Sequence, residues 1–480
     1  MDTDYHRAYL AFLDAHPSYA GTSRLDALRA TDYERLDRLG HVYLDYTGGG
    51  LYAMSQIRAH HDHLRDGVFG NPHSNNPTSL AASALVEHAR SAVLAFLNAD
   101  PGQYGVIFTP NASGALKLVG ESYPFEPGDR YLLTYDNHNS VNGLREFARH
   151  RGATVTYLPV NAPHLRVTGE AVATELKRGS PGLHRLFAFP AQSNFSGVQH
   201  PLEWVDWAHE HGWHVVLDCA AFAPTNRLDL SKVTPDFIPL SFYKIFGYPT
   251  GIGALVFRYD ALTELRRPWF AGGTITMASV QGEDWYRLAP GHAGFEDGTV
   301  DYLGLPAVAL GLAHLSAIGI DVIHERVMAL TAWLIDQMTS LVHGNLAPVA
   351  RIFGPTDTTR RGGTVAFYLQ GPDGIPYDVR GIEELAIRRR ISIRTGCFCN
   401  PGDGEVAHGI TREDMAHCFV GRTGPVTFEE CSETLRASTG KAPNTMRISL
   451  GLASNFADVF AFLMFARRFV DVPGDQLPAA

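Results

Sequence analysis

Between residues 105 and 258 the sequence repeats one alternation, in which a short β-branched or aromatic run is followed by a turn and then by residues at helical spacing. The runs are "GVIFT", "RYLLTY", "TVTYLPV", "HRLFAFP", "WHVVLDC", "DFIPLSF" and "GALVFR", and among them lie "SGALKLVGESY", "SVNGLREFARH" and "PLEWVDWAHEHG". Strand-length runs interleaved with helices are the pattern of βα units, which assemble into a mostly parallel sheet flanked by helices. The last of these helical stretches opens on proline and closes on glycine, the usual asymmetry of helix ends. The expected class is therefore α/β. With 480 residues, 45% of them hydrophobic, the chain is long enough to build more than one core.

Around this centre the pattern predicts three parts. Residues 1–40 read as an N-terminal helical segment that packs on the small domain, 41–305 as a large domain, and 306–480 as a smaller α+β C-terminal domain. "PTSLAASALVEHARSAVLAFLNA" predicts a long helix leading into the sheet. Past Gly298, "TVDYLGLPAVALGLAHLSAIG" and "IDVIHERVMALTAWLIDQMTSLV" predict two helices, and "RGGTVAFYLQG" and "ISIRTG" read as strands. "CNPGDGEVAHGITRED" and "ASTGKAPNT" read as loops from their Gly, Thr and Pro content.

Charge and cysteine usage narrow the partners. Fifty acidic residues against 40 Lys and Arg give a net charge of -10, with no basic footprint, so nucleic acid is not expected as a partner. The start of the chain reads as an amphipathic helix rather than a signal peptide, and no apolar run reaches the roughly 18 to 20 residues needed to cross a bilayer, so no membrane association is expected. Five cysteines, an odd number in a large chain, predict reduced thiols and a cytoplasmic location.

Open α/β sheets bind ligands at the carboxyl ends of their strands, so those positions were read for chemistry. After "GVIF" come Thr109, Asn111, Ala112, Ser113 and Gly114, which lead into a helix. That is either a phosphate cradle or simply a helix end with Ser113 as its cap. His138 follows "RYLLTY" and is compatible with packing, surface or catalysis. Asn194 follows "HRLFAFP", as a ligand contact or a turn former. Asp218 ends an apolar strand and needs a cationic or N–H partner. Lys244 lies in "SFYKIFGYPTGIGALVFR", where its amine either snorkels out of a packed turn or is used. Each alone is bland, but all fall on one edge. An aspartate for a pyridinium, a lysine for covalent attachment, an imidazole to stack and a helix N-terminus for a phosphate together describe a pyridoxal phosphate site.

Seven segments carry a family likeness: "YLDYTGGGLY", "GNPHSNNPTS", "VIFTPNASGALKLV", "SFYKIFGYPTGIGAL", "FEDGTVDYL", "RTGCFCNPG" and "MRISLGLASN". They run in order from about residue 40 to 470. The chain resembles the class V, fold-type I pyridoxal phosphate enzymes, in the cysteine desulfurase group, and within it the desulfurase portion of molybdenum cofactor sulfurases. The resemblance implies pyridoxal 5′-phosphate as cofactor, with Lys244 as its covalent anchor and the base at the substrate Cα. Asp218 would pair with the ring nitrogen, His138 would stack on the ring and assist proton transfer, Ala220 would lie against the other face, and Asn194 would contact the ring hydroxyl and the substrate. Ala112, Ser113 and Ser241 would hold the phosphate, completed by Gly272, Gly273 and Thr274 of a second subunit in a homodimer. Arg447 would meet the substrate carboxylate.

The pair "CFC" lacks the further ligands of a usual zinc site, so no metal is expected. The resemblance puts the persulfide-forming thiol at Cys399, with Cys397 as accessory or spectator. The implied activity is cleavage of the cysteine C–S bond to give alanine and a Cys399 persulfide, destined for an acceptor protein or small molecule. The alternatives are a C–S lyase, a cysteine sulfinate desulfinase or a Cβ-substituting enzyme of specialised metabolism. Two positions depart from simpler desulfurases: Tyr243 stands where histidine is common, and Ala221 where glutamine or histidine is.

Overall fold

The computed structural model describes residues 3–178, 182–441, 443 and 445–478. All seven runs of the central alternation become strands of one sheet: β1 (Tyr104–Thr109), β2 (Arg130–Thr134), β3 (Thr154–Leu158), β4 (Arg185–Pro190), β5 (His214–Asp218), β6 (Phe237–Ser241) and β7 (Gly253–Arg258). Their spatial order is β1-β7-β6-β5-β4-β2-β3. β7 alone runs antiparallel to its neighbours, with Thr109 and Ser241 both opposite Gly253. Every residue of β6 is buried, as are Leu186 to Pro190 of β4. Parallel strands covered on both faces read as continuous apolar runs, which is why these were visible in the sequence.

The chain begins with α1 (Thr3–Ala15), whose Tyr5, Tyr9 and Phe12 pack against Phe456, while Phe12 also meets Trp333. The long helix α2 (Pro77–Phe96) starts where the Asn76 side chain accepts from the Ser79 N–H and Pro77 fills the first position. After β1 comes α3 (Ala112–Ser122). Helices α4 (Leu305–Ile318) and α5 (Ile320–Thr339) meet at Gly319 with a bend of 69°. Among the described residues no single helix is long and apolar enough to cross a membrane.

A second, antiparallel sheet has the order β8-β9-β11-β10, from β8 (Ala350–Phe353), β9 (Thr364–Leu369), β10 (Arg394–Thr395) and β11 (Met446–Ser449). "ISIRTG" is not one strand. Ile391 and Ser392 pair with Val42 and Tyr43, and β10 then turns to β11. That switch ties residues 42–43 of the chain to the segment that carries the two cysteines.

Two stretches read as loops contain helices: α6 (Pro401–Ala407), α7 (Arg412–Phe419) and α8 (Phe428–Thr439), the last covering the start of "ASTGKAPNT". The residues that looked like turn formers are caps. Asn400 accepts from the Asp403 N–H ahead of Pro401, and Thr411 with Asp414 and Thr427 with Glu430 form reciprocal capping boxes. Ala442 and Asn444, also read as loop, lie outside the described residues. α9 (Phe456–Arg467) follows β11. The expectation of five reduced thiols is corrected as well. Packing of α7 on α8 brings the Cα atoms of Cys418 and Cys431 to 5.2 Å, and the two form a disulfide. Cys219, Cys397 and Cys399 are free.

Candidate active site

β1, β2, β4, β5 and β6 all point their carboxyl ends the same way, and a cavity of about 190 Å³ opens at that edge. Ala112, Ser113, His138, Asn194, Asp218, Ala220, Ser241 and Lys244 all line it, as expected from their strand-end positions. Arg447, Cys399, Gly273 and Thr274 do not.

One end of the cavity is built of hydroxyls and amides. Ser241 Oγ accepts from the Ala112 N–H at 2.8 Å, and the hydroxyls of Ser113 and Ser140 are 2.6 Å apart. The cap of α3 is Asn111, whose side chain takes the Gly114 N–H at 2.9 Å, so the alternative of Ser113 as cap falls away and its hydroxyl faces the cavity. This closeness depends on Gly253. A Cβ there would lie 2.5 Å from both Asn111 Cα and Leu240 O, pushing the α3 terminus away from β6.

The other groups are spaced along the same edge. Asp218 is buried and its Oδ1 takes the Ala220 N–H at 3.0 Å; no protein group donates to its Oδ2 among the described residues. Lys244 lies in a one-turn helix, Phe242–Phe246, which ends on Gly247 at φ +81°. Burial, together with Arg447 and Arg394, pushes its amine below the usual lysine range, only partly offset by Asp218. A larger share of Lys244 is therefore neutral amine near neutral pH. His138 accepts the Ser140 N–H on Nδ1 at 3.1 Å, which puts the proton of the neutral ring on Nε2. Burial, with Lys244 adding to it, lowers its pKa as well.

The cysteine loop docks on this edge from the second sheet. Arg394 and Arg447 stand directly opposite each other across β10 and β11, a like-charge pair that Asp45 resolves. Its carboxylate is 2.6 Å from Arg394 Nη2 and 2.9 Å from Arg447 Nη2. Arg447 Nη1 donates to Asn194 O at 2.9 Å, and its Nε is buried with no partner. Asn194 lines the cavity as expected, yet both ends of its amide hold the loop. Its Nδ2 donates to Phe398 O at 2.7 Å and its Oδ1 accepts from Asn400 Nδ2 at 3.0 Å. Cys399 is the exposed one of the three free thiols. Burial raises the pKa of Cys397, partly offset by a hydrogen bond from the Cys399 backbone. Gly272 and Gly273 are exposed, but the Thr274 side chain is buried and bonded within its own turn to Ala271. Within one chain these residues are away from the cavity.

Asp45, Arg394, Phe398 and Asn400 were not singled out in the sequence. Asp45 and Arg394 sit inside quoted motifs, but only the fold shows that one carboxylate serves two arginines. Asn400 had a readable signal, Asn before Pro at a helix start. It is wholly buried and also donates to Asp136 O at 2.9 Å. Asn400→Ala strands several buried polar groups, and chemical denaturation is expected to show a loss of about 2–4 kcal/mol.

The donor set fits pyridoxal phosphate: a pocket with serine hydroxyls and a helix N-terminus at one end, a carboxylate oxygen without a protein donor at mid-edge, and a half-buried amine between them. Fold and site together define an α/β protein of the fold-type I pyridoxal phosphate class. The solved structures it resembles include a cysteine desulfurase from Thermococcus onnurineus NA1 (TM-score 0.76, 22% identity, covering 93% of this chain and 98% of that one). A cysteine desulfurase from Escherichia coli superposes with a TM-score of 0.70 at 21% identity, covering 92% and 98%. The family model "Aminotransferase class-V" matches residues 42–462, and the chain belongs to that family. Curated relatives include molybdenum cofactor sulfurases of Solanum lycopersicum, 34% identical over 95% of this chain and 59% of that protein, and of Homo sapiens, 34% identical over 93% and 51%. The chain thus spans between about half and six tenths of the length of these relatives.

Proposed function

We propose that the chain is a pyridoxal-phosphate-dependent cysteine desulfurase-like enzyme that cleaves the C–S bond of cysteine, releases alanine and leaves a persulfide on Cys399. The observation that carries this reading is the meeting of three reactive groups on one sheet edge. Lys244 and Asp218 line the cavity, and the loop bearing the exposed Cys399 is docked on it through Asn194. The relatives named molybdenum cofactor sulfurase and the desulfurase folds support it.

Pyridoxal phosphate, when bound, supplies an electron sink for negative charge at the substrate Cα. Ala112, Ser113 and Ser241 would hold its phosphate and Asp218 its ring nitrogen. Lys244 would anchor it and, once displaced by the substrate amine, accept the Cα proton on Nζ. The lowered pKa set by burial suits that role. His138 would cover the ring, with the proton of its neutral imidazole on Nε2. Arg447 binds the substrate carboxylate. The Cys399 thiolate attacks the substrate sulfur, forming an S–S bond as the Cβ–S bond breaks with its electron pair left on carbon; Cβ gains one proton and the proton held by Lys244 returns to Cα, which completes alanine. The sulfur then passes to an acceptor protein or small molecule.

The proposal extends to a homodimer in the cytoplasm. Trp269, Phe270, Met277, Val280 and Trp285 are exposed on and beside the hairpin of Ile275–Ala278 and Tyr286–Leu288, next to exposed Gly272 and Gly273. A second copy seated there would cover this apolar surface and bring Gly272 to Thr274 to its neighbour's phosphate site. For the cytoplasm the support is the Cys399 thiol, which must stay reduced to attack, set against the Cys418–Cys431 disulfide, which that compartment disfavours. The test is to supply cysteine, cysteine sulfinate and selenocysteine separately to the holoenzyme and identify the products. Alanine with sulfur added to Cys399 is expected from cysteine; pyruvate without it identifies a C–S lyase and overturns the proposal.

A further inference from the structure

Phe398, between the two cysteines, touches both groups assigned to the substrate. Its ring lies over the Arg447 guanidinium, 4.7 Å from Cζ to centroid, and packs on Phe195 at 5.4 Å. Its carbonyl takes the Asn194 Nδ2 hydrogen bond. The in-plane edges of Arg447 are occupied too: Nη1 by Asn194 O, Nη2 by Asp45, and Nε enclosed with no partner. With Phe398 on its face and Asn194 O and Asp45 on its two terminal nitrogens, the guanidinium is covered while the loop is docked. The enclosed Nε is an unsatisfied donor that such a ligand would satisfy.

We propose that Phe398 is a positioning residue that covers the carboxylate subsite at Arg447, so that the docked cysteine loop and a bound substrate carboxylate exclude each other. The inference rests on the proposed function, in which Arg447 receives that carboxylate. The backbone supplies the reason why displacement is feasible. Phe398 and Cys399 both have left-handed φ values, +55° and +57°. For side chains of this kind that conformation is strained and persists only where contacts impose it. The contacts of these two residues are the ring on Arg447 and Phe195, Asn194 to Phe398 O, and the Asn139 N–H to Cys399 O at 2.7 Å, while Asn400 behind them stays fixed to Asn194 and Asp136. A carboxylate that takes Arg447 removes the first. Lifting the loop then frees Asn194 Nδ2 for the cofactor ring and Cys399 for the substrate sulfur, while Asp45 stays paired with Arg394. Amino-acid binding is thereby coupled to release of the nucleophile.

The test uses holoenzyme and alanine, which carries the carboxylate but no sulfur. Its dissociation constant is measured by calorimetry, and amide hydrogen exchange is followed at residues 396–400 and at Asn139. In the unaltered protein alanine is expected to speed exchange at both places. Phe398→Ala is expected to bind alanine about five- to thirtyfold more tightly, the range set by loss of a cation–π cover, and to exchange fast with or without ligand. Phe398→Tyr keeps the aromatic face and is expected to behave as the parent. Equal affinity in Phe398→Ala and the parent, or exchange in the parent that alanine leaves unchanged, overturns the gate and leaves the proposed function standing. No alanine binding by any of the three proteins despite bound coenzyme overturns both.

Discussion

Replacement of Lys244 by alanine is expected to give a protein that folds, binds pyridoxal phosphate without a covalent bond and has no measurable turnover of cysteine. Lys244 lines the cavity beside Asp218 in a helix fixed by Gly247, and its amine is pushed toward the neutral form by burial. Removing it takes away both the attachment and the base at Cα. Proton transfer by a positioned group is worth about 10²–10⁴-fold, so turnover should fall by at least that much. Borohydride reduction of the parent should fix the coenzyme on the peptide that contains Lys244, and reduction of the variant should fix none. Coenzyme fixed equally in the variant would place the anchor on another lysine.

Cys399→Ser is expected to separate the coenzyme from the sulfur chemistry. Cys399 is not part of the cavity wall, and its side chain is exposed. The variant should therefore take up coenzyme and cysteine as the parent does, yet form alanine slower by on the order of 10³-fold or more, since a hydroxyl does not replace a thiolate at sulfur. Cys397→Ser should retain most activity: burial holds its thiol protonated, outweighing the hydrogen bond from the Cys399 backbone. Unchanged alanine formation in Cys399→Ser would remove the persulfide from the account.

The parts of the fold that could be read in the sequence share one cause. Strands covered on both faces, such as β4 and β6, are apolar throughout and stand out as runs, and the residues just past the strands mark the edge where the cavity lies. His138, Asn194, Asp218 and Lys244 all stand at such strand ends. The helices α6 to α8 were missed because Asn400, Thr411 and Thr427 have the composition of turns while acting as caps. The Asp45, Arg394 and Arg447 cluster was illegible for a different reason. It joins residues 349 and 402 positions apart, and only the register of β10 against β11 puts the two arginines opposite each other. The disulfide needed the packing of α7 on α8, which brings together two cysteines thirteen residues apart.

The central claim is that one turnover moves one sulfur atom from cysteine to Cys399. It is tested most directly by a single turnover with substoichiometric cysteine and no reductant, with alanine quantified and the Cys399 peptide weighed in the same sample. The account predicts one alanine for each Cys399 that carries one extra sulfur, and no pyruvate. Alanine or pyruvate formed while the Cys399 peptide keeps its mass would contradict it.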